Sequence, residues 1–164
     1  MCLQEIKLLT PGDAMPKASA LDSEENVARM ASVSASSVHP DYSADGATDG
    51  IVDGYPGNIA REWATRGERD TATIRLTWSE EQTIDRVWLF DRPNDLDQVL
   101  SGMLIFNDGT TIRTGELPDN GKRGLEVKFP AKKVKWLIFA VDKVKGRTQN
   151  IGLAEIGVFR ASER

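Results

Sequence analysis

The sequence predicts an all-β fold, an antiparallel sandwich or barrel of about eight strands. Three observations carry this. Short apolar alternations recur roughly every 10–15 residues. Gly, Pro, Asn and Asp fill the gaps between them. No stretch longer than about ten residues shows a 3.6-residue apolar period with capping residues. With 164 residues one domain is expected, long enough to bury a core without disulfides.

In chain order, residues Met1 to Glu25 differ from the rest. Pro11, Gly12 and Pro16 interrupt a short apolar stretch, and Ala18 to Glu25 is small and polar. This reads as a tail or linker over residues 1–25, with a short strand near Ile6–Leu9. The folded domain is expected over residues 26–161. Val27 to Ser36 alternates loosely. In Ala72–Trp78, Ile74, Leu76 and Trp78 share one face and Thr73, Arg75 and Thr77 the other. Thr83–Phe90 is apolar at Ile84, Val87, Trp88, Leu89 and Phe90. Val99–Phe106 and Thr110–Thr114 flank Asn107-Asp108-Gly109, a hairpin turn signal. Leu125–Phe129 alternates inward Leu125, Val127 and Phe129 with outward Glu126 and Lys128. Val134–Val144 is apolar on both faces between Trp136 and Val141, as in a central strand. Ile151–Phe159 closes the set. The longest irregular segment, Ser37 to Arg69, is where function is expected.

Several function classes are disfavoured. The 21 basic and 25 acidic residues give a net charge of −4, without the basic excess of a nucleic-acid binder. No apolar run approaches the roughly 20 residues of a membrane span. No secretory signal is visible in Met1–Pro16. His39 and Cys2 are the sole histidine and cysteine, which leaves little for Ser-His-Asp, Cys-His or zinc catalysis. No Walker-type phosphate loop is present. A paired-carboxylate glycosidase is not picked out by any spacing.

Two constellations carry chemistry. Tyr42 to Gly54 reads Y-S-A-D-G-A-T-D-G-I-V-D-G, in which Asp45, Asp49 and Asp53 each precede a glycine. Calcium takes six to eight oxygens from carboxylates and carbonyls, and glycine lets a chain wrap around it. Three ordinary Asp-Gly turns would give the same pattern. Glu155, a charge within an apolar strand, is a candidate for the other half of such a site. The second constellation sets Trp63 in irregular chain beside Asp91 to Gln98 and Arg147 to Asn150. An aromatic face can pack on the C–H face of a sugar while Arg, Asn, Asp and Gln bind hydroxyls. The alternative is a buried Trp63 and an internal network of Asp91, Arg92 and Asp97. Trp78, Trp88 and Trp136 read as core.

Asn26–Ser37 (N-V-A-R-M-A-S-V-S-A-S-S), Ala47–Gly50 (A-T-D-G), Glu62-Trp63 and Gly152–Val158 (G-L-A-E-I-G-V) together resemble a galactose-binding-like β-sandwich, the superfamily of discoidin or coagulation-factor type-C domains and bacterial carbohydrate-binding modules. L-T-W-S-E-E-Q-T-I-D-R-V-W-L-F-D-R-P-N, followed by Asp97-Gln98, is similar to a subgroup appended to extracellular glycoside hydrolases and PIG-L-type deacetylases. The resemblance implies an eight-stranded jelly roll and a structural calcium held by Asp49 and Glu155 with carbonyls of the Ala47–Asp53 turn, and Asp53 is the candidate to make up for a departure from the pattern. The chain departs in one respect: many relatives carry a threonine two residues before the tryptophan, where this sequence has Arg61. The resemblance also implies a ligand site in the loops at one end, with Trp63, Arg92, Asn94, Gln98 and Asn150 matching.

The expected function is that of a non-catalytic carbohydrate-binding module. It would bind a glycan or polysaccharide, beside an attached catalytic domain, as an extracellular or periplasmic part of an exported protein. The alternative is a structural or protein-docking domain of a larger extracellular enzyme.

Overall fold

The computed structural model describes residues 21–119 and 123–161. The strand expected near Ile6–Leu9 lies outside the described residues, as does Cys2. Among the described residues eight strands form: β1 (Ser32–Ala35), β2 (Trp63–Ala64), β3 (Thr73–Phe90), β4 (Val99–Phe106), β5 (Thr111–Thr114), β6 (Leu125–Val144), β7 (Gly152–Leu153) and β8 (Glu155–Arg160). All pairings are antiparallel, giving the expected all-β sandwich.

The strand order is β1-β3-β6-β4-β5, with β8 also on β3 and β2-β7 as a separate ribbon. The Ala72–Trp78 and Thr83–Phe90 alternations are two halves of one strand, β3. Its first half lies between β1 and β6, and its second half between β6 and β8. Register shifts between Thr77 and Gln82 and between Ile84 and Arg86 mark the bend. Likewise Leu125–Phe129 and Val134–Val144 merge into β6. Pro130, which cannot donate to a ladder, falls where the register jumps from Arg86↔Lys128 to Ile84↔Lys132. Two long bent strands thus carry both layers.

Alternation fills the core as expected. Ile74, Leu76, Ile84, Val87, Leu89, Leu104, Phe106, Leu137, Phe139, Ile156 and Val158 are buried in one cluster with Trp63 and Trp78. Trp88 joins a smaller cluster with Phe90, Ala154, Phe159 and Leu21. Leu21, assigned by sequence to the tail, is therefore packed, and Asn26 Nδ2 donates to its carbonyl at 2.8 Å. Trp136 corrects the core reading of β6. It is only half-buried, and Arg75 lies over its ring, 4.6 Å from the centroid. Its strand is central, but the face it shares with Ile138 and Ala140 turns outward. Gly109 takes φ 88° in the β4–β5 turn, as the hairpin signal required.

Candidate functional site

Three connections meet at one end of the sandwich: the long segment after β1, the β3–β4 loop (residues 91–98) and the turn before β7 (residues 145–151). The long segment folds back on itself through two 3₁₀ turns, Ala44–Thr48 and Ile59–Arg61, each opened by a capping side chain, Ser43 and Asn58. A Cβ at Gly46 would sit 2.6 Å from the Ala60 carbonyl, and one at Gly54 would sit 2.5 Å from the Glu62 carboxyl carbon. Both glycines are needed because the two arms of the segment touch there. That contact brings Glu62 inward.

Glu62 is fully buried and is the hub of the site. Arg92 Nε donates to its Oε1 at 2.8 Å and Nη2 to its Oε2 at 3.0 Å, a two-point fork. The Tyr55 amide donates to the same Oε2 at 2.7 Å. Arg92 Nη1 donates to Asp97 Oδ2 and to the Asn150 carbonyl, both at 2.8 Å, and Nη2 reaches the Tyr42 hydroxyl at 3.3 Å. Asp97 Oδ1 accepts from the amides of Gln149 (2.7 Å) and Asn150 (3.0 Å). One arginine thereby ties all three connections together. Burial works against its charge, but Glu62 and Asp97 outweigh that and raise its pKa above the ordinary value. Burial also raises Tyr42, with Arg92 pulling the other way.

Above this frame lies a recess of about 230 Å³, lined by Tyr42, Tyr55, Arg92, Asn94, Leu96, Asp97, Gln149 and Asn150. Tyr55 is 52% and Leu96 43% exposed. Asn94 uses its side-chain oxygen to hold the amides of Leu96 and Asp97, both at 2.9 Å. Asn150 uses its own on the Gly67 amide at 2.8 Å. Both therefore keep their NH₂ donors. A larger cleft of about 490 Å³, lined by Ser23, Glu24, Asn26, Arg29, Met30 and Arg160, lies away from this chemistry and has no aromatic side chain among its described lining residues.

Of the residues expected to bind a ligand, Arg92, Asn94 and Asn150 come together at the recess. Two do not. Trp63 is fully buried, its Nε1 donating to the Ser37 carbonyl at 2.9 Å, so its ring offers no face for stacking. Gln98 is buried and donates to Glu116 Oε2 (3.1 Å) and the Leu117 carbonyl (2.9 Å), away from the recess. Tyr42 and Tyr55 were not singled out as contacts, and Glu62 and Gln149 were quoted within the Glu62-Trp63 and Arg147–Asn150 stretches without being chosen as site residues. The signal for the tyrosines lay in their position, since they bracket the Asp-Gly-rich run that the sequence singled out for another reason.

The three carboxylates expected to hold calcium do not converge. Asp49 and Glu155 are neighbours. Glu155 is buried, its Oε2 accepts from the Gly50 amide at 2.7 Å, and its Oε1 has no hydrogen-bond partner. Burial first, and then Asp49, pushes its pKa up to about 10. An orphaned buried oxygen is what a metal site would show, yet the other ligands are engaged. Asp49 Oδ1 accepts from the Ile51 amide at 2.9 Å, and its Oδ2 meets Arg61 Nη1 at 3.2 Å. Asp53 stands apart, with Oδ1 accepting from the Gly54 amide at 2.7 Å. Among the described residues no three His, Cys, Asp or Glu side chains group as a metal site. As a set these residues do not fit calcium, because Arg61 already puts a positive charge on Asp49. Asp91 is also outside the network expected for it: it is fully buried with neither carboxyl oxygen hydrogen-bonded.

The chain belongs to the family described as Domain of unknown function (DUF7402), which it matches over residues 26–159. A search of curated proteins finds no match. Among solved structures it is similar to the lectin domain of lectinolysin in complex with Lewis B antigen, with 26% identity and a TM-score of 0.66 over 85% of this chain and 99% of that one. It is also similar to chitosan-binding module 1 of a chitosanase/glucanase from Paenibacillus sp. IK-5, with 19% identity and a TM-score of 0.61 over 82% and 98%. The family 32 carbohydrate-binding module of NanJ from Clostridium perfringens, in complex with galactose, matches at 14% identity and a TM-score of 0.63 over 83% and 98%. The last two likenesses speak to the fold. No helix among the described residues is long and apolar enough to cross a membrane.

Proposed function

We propose that this domain is a non-catalytic carbohydrate-binding module that holds a glycan in the recess over Arg92. The carrying observation is the lining: two tyrosines and three side-chain amides around a buried Glu62–Arg92–Asp97 frame. Tyrosine faces pack on the C–H faces of sugar rings, and amide and phenol groups exchange hydrogen bonds with hydroxyls. Solved structures with this fold, the lectinolysin lectin domain among them, are glycan-binding modules, which supports the same use here. The domain would serve as an accessory to a catalytic domain of an exported enzyme, glycoside hydrolase or PIG-L-type deacetylase. The Arg61–Asp49 and Arg92–Glu62 pairs hold the loop without calcium in this reading. A recess this open gains little beyond its desolvation costs, so single sites bind weakly and repeated copies supply avidity.

The structural or docking alternative has an observation in its favour: Trp63 and Arg92 are both engaged internally. Yet the contacts of Arg92 with Asp97, Tyr42 and Asn150 join residues that line the recess, whose other lining residues include the exposed Tyr55 and Leu96. A glycan array probed with the isolated domain and with Tyr55→Ala separates the two. The module reading expects defined hits that weaken at least tenfold in the variant while its melting temperature is kept. Silence across the array, or hits indifferent to Tyr55, would favour docking.

A further inference from the structure

Arg92 is the one cation among the described residues lining the recess. A guanidinium in a sugar site is ordinarily free to grip a carboxylate or sulfate through its planar fork. Here it is not. Arginine has five N–H donors, and all are engaged by the protein: Nε and one Nη2 donor by Glu62, the other Nη2 donor by the Tyr42 hydroxyl, and Nη1 by Asp97 and the Asn150 carbonyl. The three charged side chains are 5%, 0% and 6% exposed for Arg92, Glu62 and Asp97. Two buried carboxylates against one guanidinium leave the floor of the recess with an excess negative charge. The groups left for a ligand are uncharged: the hydroxyls of Tyr42 and Tyr55 and the amides of Asn94, Gln149 and Asn150.

We propose that the recess selects glycans without an acidic group, and that Asp97 and Glu62 set this selectivity by holding Arg92 out of reach of an incoming anion. The inference rests on the glycan-binding reading and deepens it. A uronic acid, sialic acid or sulfated sugar would meet a negative floor and no free charged donor, and rejection by an uncompensated charge is a standard route to specificity. Asp97 is the more telling of the two carboxylates. Its Oδ1 holds the Gln149 and Asn150 amides, and its Oδ2 alone faces Arg92. Asparagine at that position can keep the first role and give up the charge.

The test uses an array of neutral oligosaccharides beside the same oligosaccharides capped with uronate, sialate or sulfate, followed by titration of the best pair at low and physiological salt. The wild-type domain is expected to bind the neutral member at least tenfold more tightly, with a wider gap at low salt. Asp97→Asn is expected to move the acidic-to-neutral ratio at least tenfold toward the acid. If that variant does not fold, Tyr42→Phe frees one Nη2 donor and should shift the ratio in the same direction. Equal or tighter wild-type binding of the acidic members would overturn this inference and leave the module reading standing. A folded variant with an unchanged ratio would overturn the role given to the carboxylates. Binding to no member of either set would overturn the module reading and this inference together.

Discussion

Among the described residues four carboxyl groups are buried at the loop end of the sandwich, and they divide into two kinds. Glu62 and Asp97 share the Arg92 guanidinium at 2.8 Å. Asp91 and Glu155 are fully buried without such a partner, although Phe90, the neighbour of Asp91, pairs with Glu155 across β3 and β8. The first pair faces a guanidinium, through a two-point fork on Glu62 and a single bond to Asp97 Oδ2. Burial pushes the second pair upward, toward holding a proton. The difference teaches where the functional end draws its rigidity. An Arg92-centred frame joins three loops beneath the recess, and buried acids without a cation of their own lie where those loops leave the sheets.

Removing the shared cation should give the largest effect. Arg92→Ala strands two carboxylates in the interior and should destabilise the fold by about 3–5 kcal/mol, the usual result of breaking a buried pair from one side. Chemical denaturation reads this directly; a change below about 1 kcal/mol would show that the frame is solvated. The variant therefore cannot serve as a clean test of ligand contact, whereas the exposed Tyr55 can.

A comparable loss comes from the apolar wall beside the frame. Trp63→Ala should cost about 3–5 kcal/mol through the cavity it leaves. An exposed stacking platform would instead show a near-neutral change. Its fluorescence in the wild type should resist aqueous quenchers.

The unpaired acids sharpen the contrast through pH. The Asp91 pKa is well above 3.8 in the folded protein because of burial. The unfolded chain releases this proton near the ordinary value while the folded protein still holds it. Its contribution is therefore complete at low pH and is lost as pH rises toward the folded-state pKa, at no more than about 1.4 kcal/mol per pH unit. Asp91→Asn removes that slope. Melting curves between pH 5 and 8 should fall more steeply for the wild type than for the variant, and parallel curves would contradict the assignment.

The smallest effect belongs to the exposed pair. Arg61 and Asp49 side chains are 39% and 21% exposed, so Arg61→Ala should change stability by less than about 1 kcal/mol. Millimolar calcium or a chelator should leave the wild-type melting temperature in place. A clear calcium-dependent rise would show that Arg61 yields to the ion.

Much of the fold was legible because alternation is a local property. Val99–Phe106 and the Asn107-Asp108-Gly109 turn were read directly, and the core face of β3 followed from Ile74, Leu76 and Trp78. The merging of neighbouring alternations into bent strands was not legible, since register is set by partners far along the chain. The same holds at the site. Arg92, Asn94 and Asn150 could be chosen by chemistry and do meet at the recess. Asp97, five residues from Arg92, was foreseen in the network alternative, but Glu62, Tyr42 and Asn150 lie 30, 50 and 58 residues away, and no local spacing shows that they use up its remaining donors. Trp63 misled for a related reason: an irregular segment reads as exposed, but this one folds its tryptophan under the loop and presents Tyr55 instead.

The most direct test of the central claim is chemical-shift mapping of the labelled domain with the strongest neutral hit from the array. The account predicts shifts concentrated on Asn94, Leu96, Gln149, Asn150 and the Arg92 side-chain Nε–H. Shifts confined to the cleft of Ser23, Arg29, Met30 and Arg160, or spread over the outer face of β6 around Trp136, would contradict it.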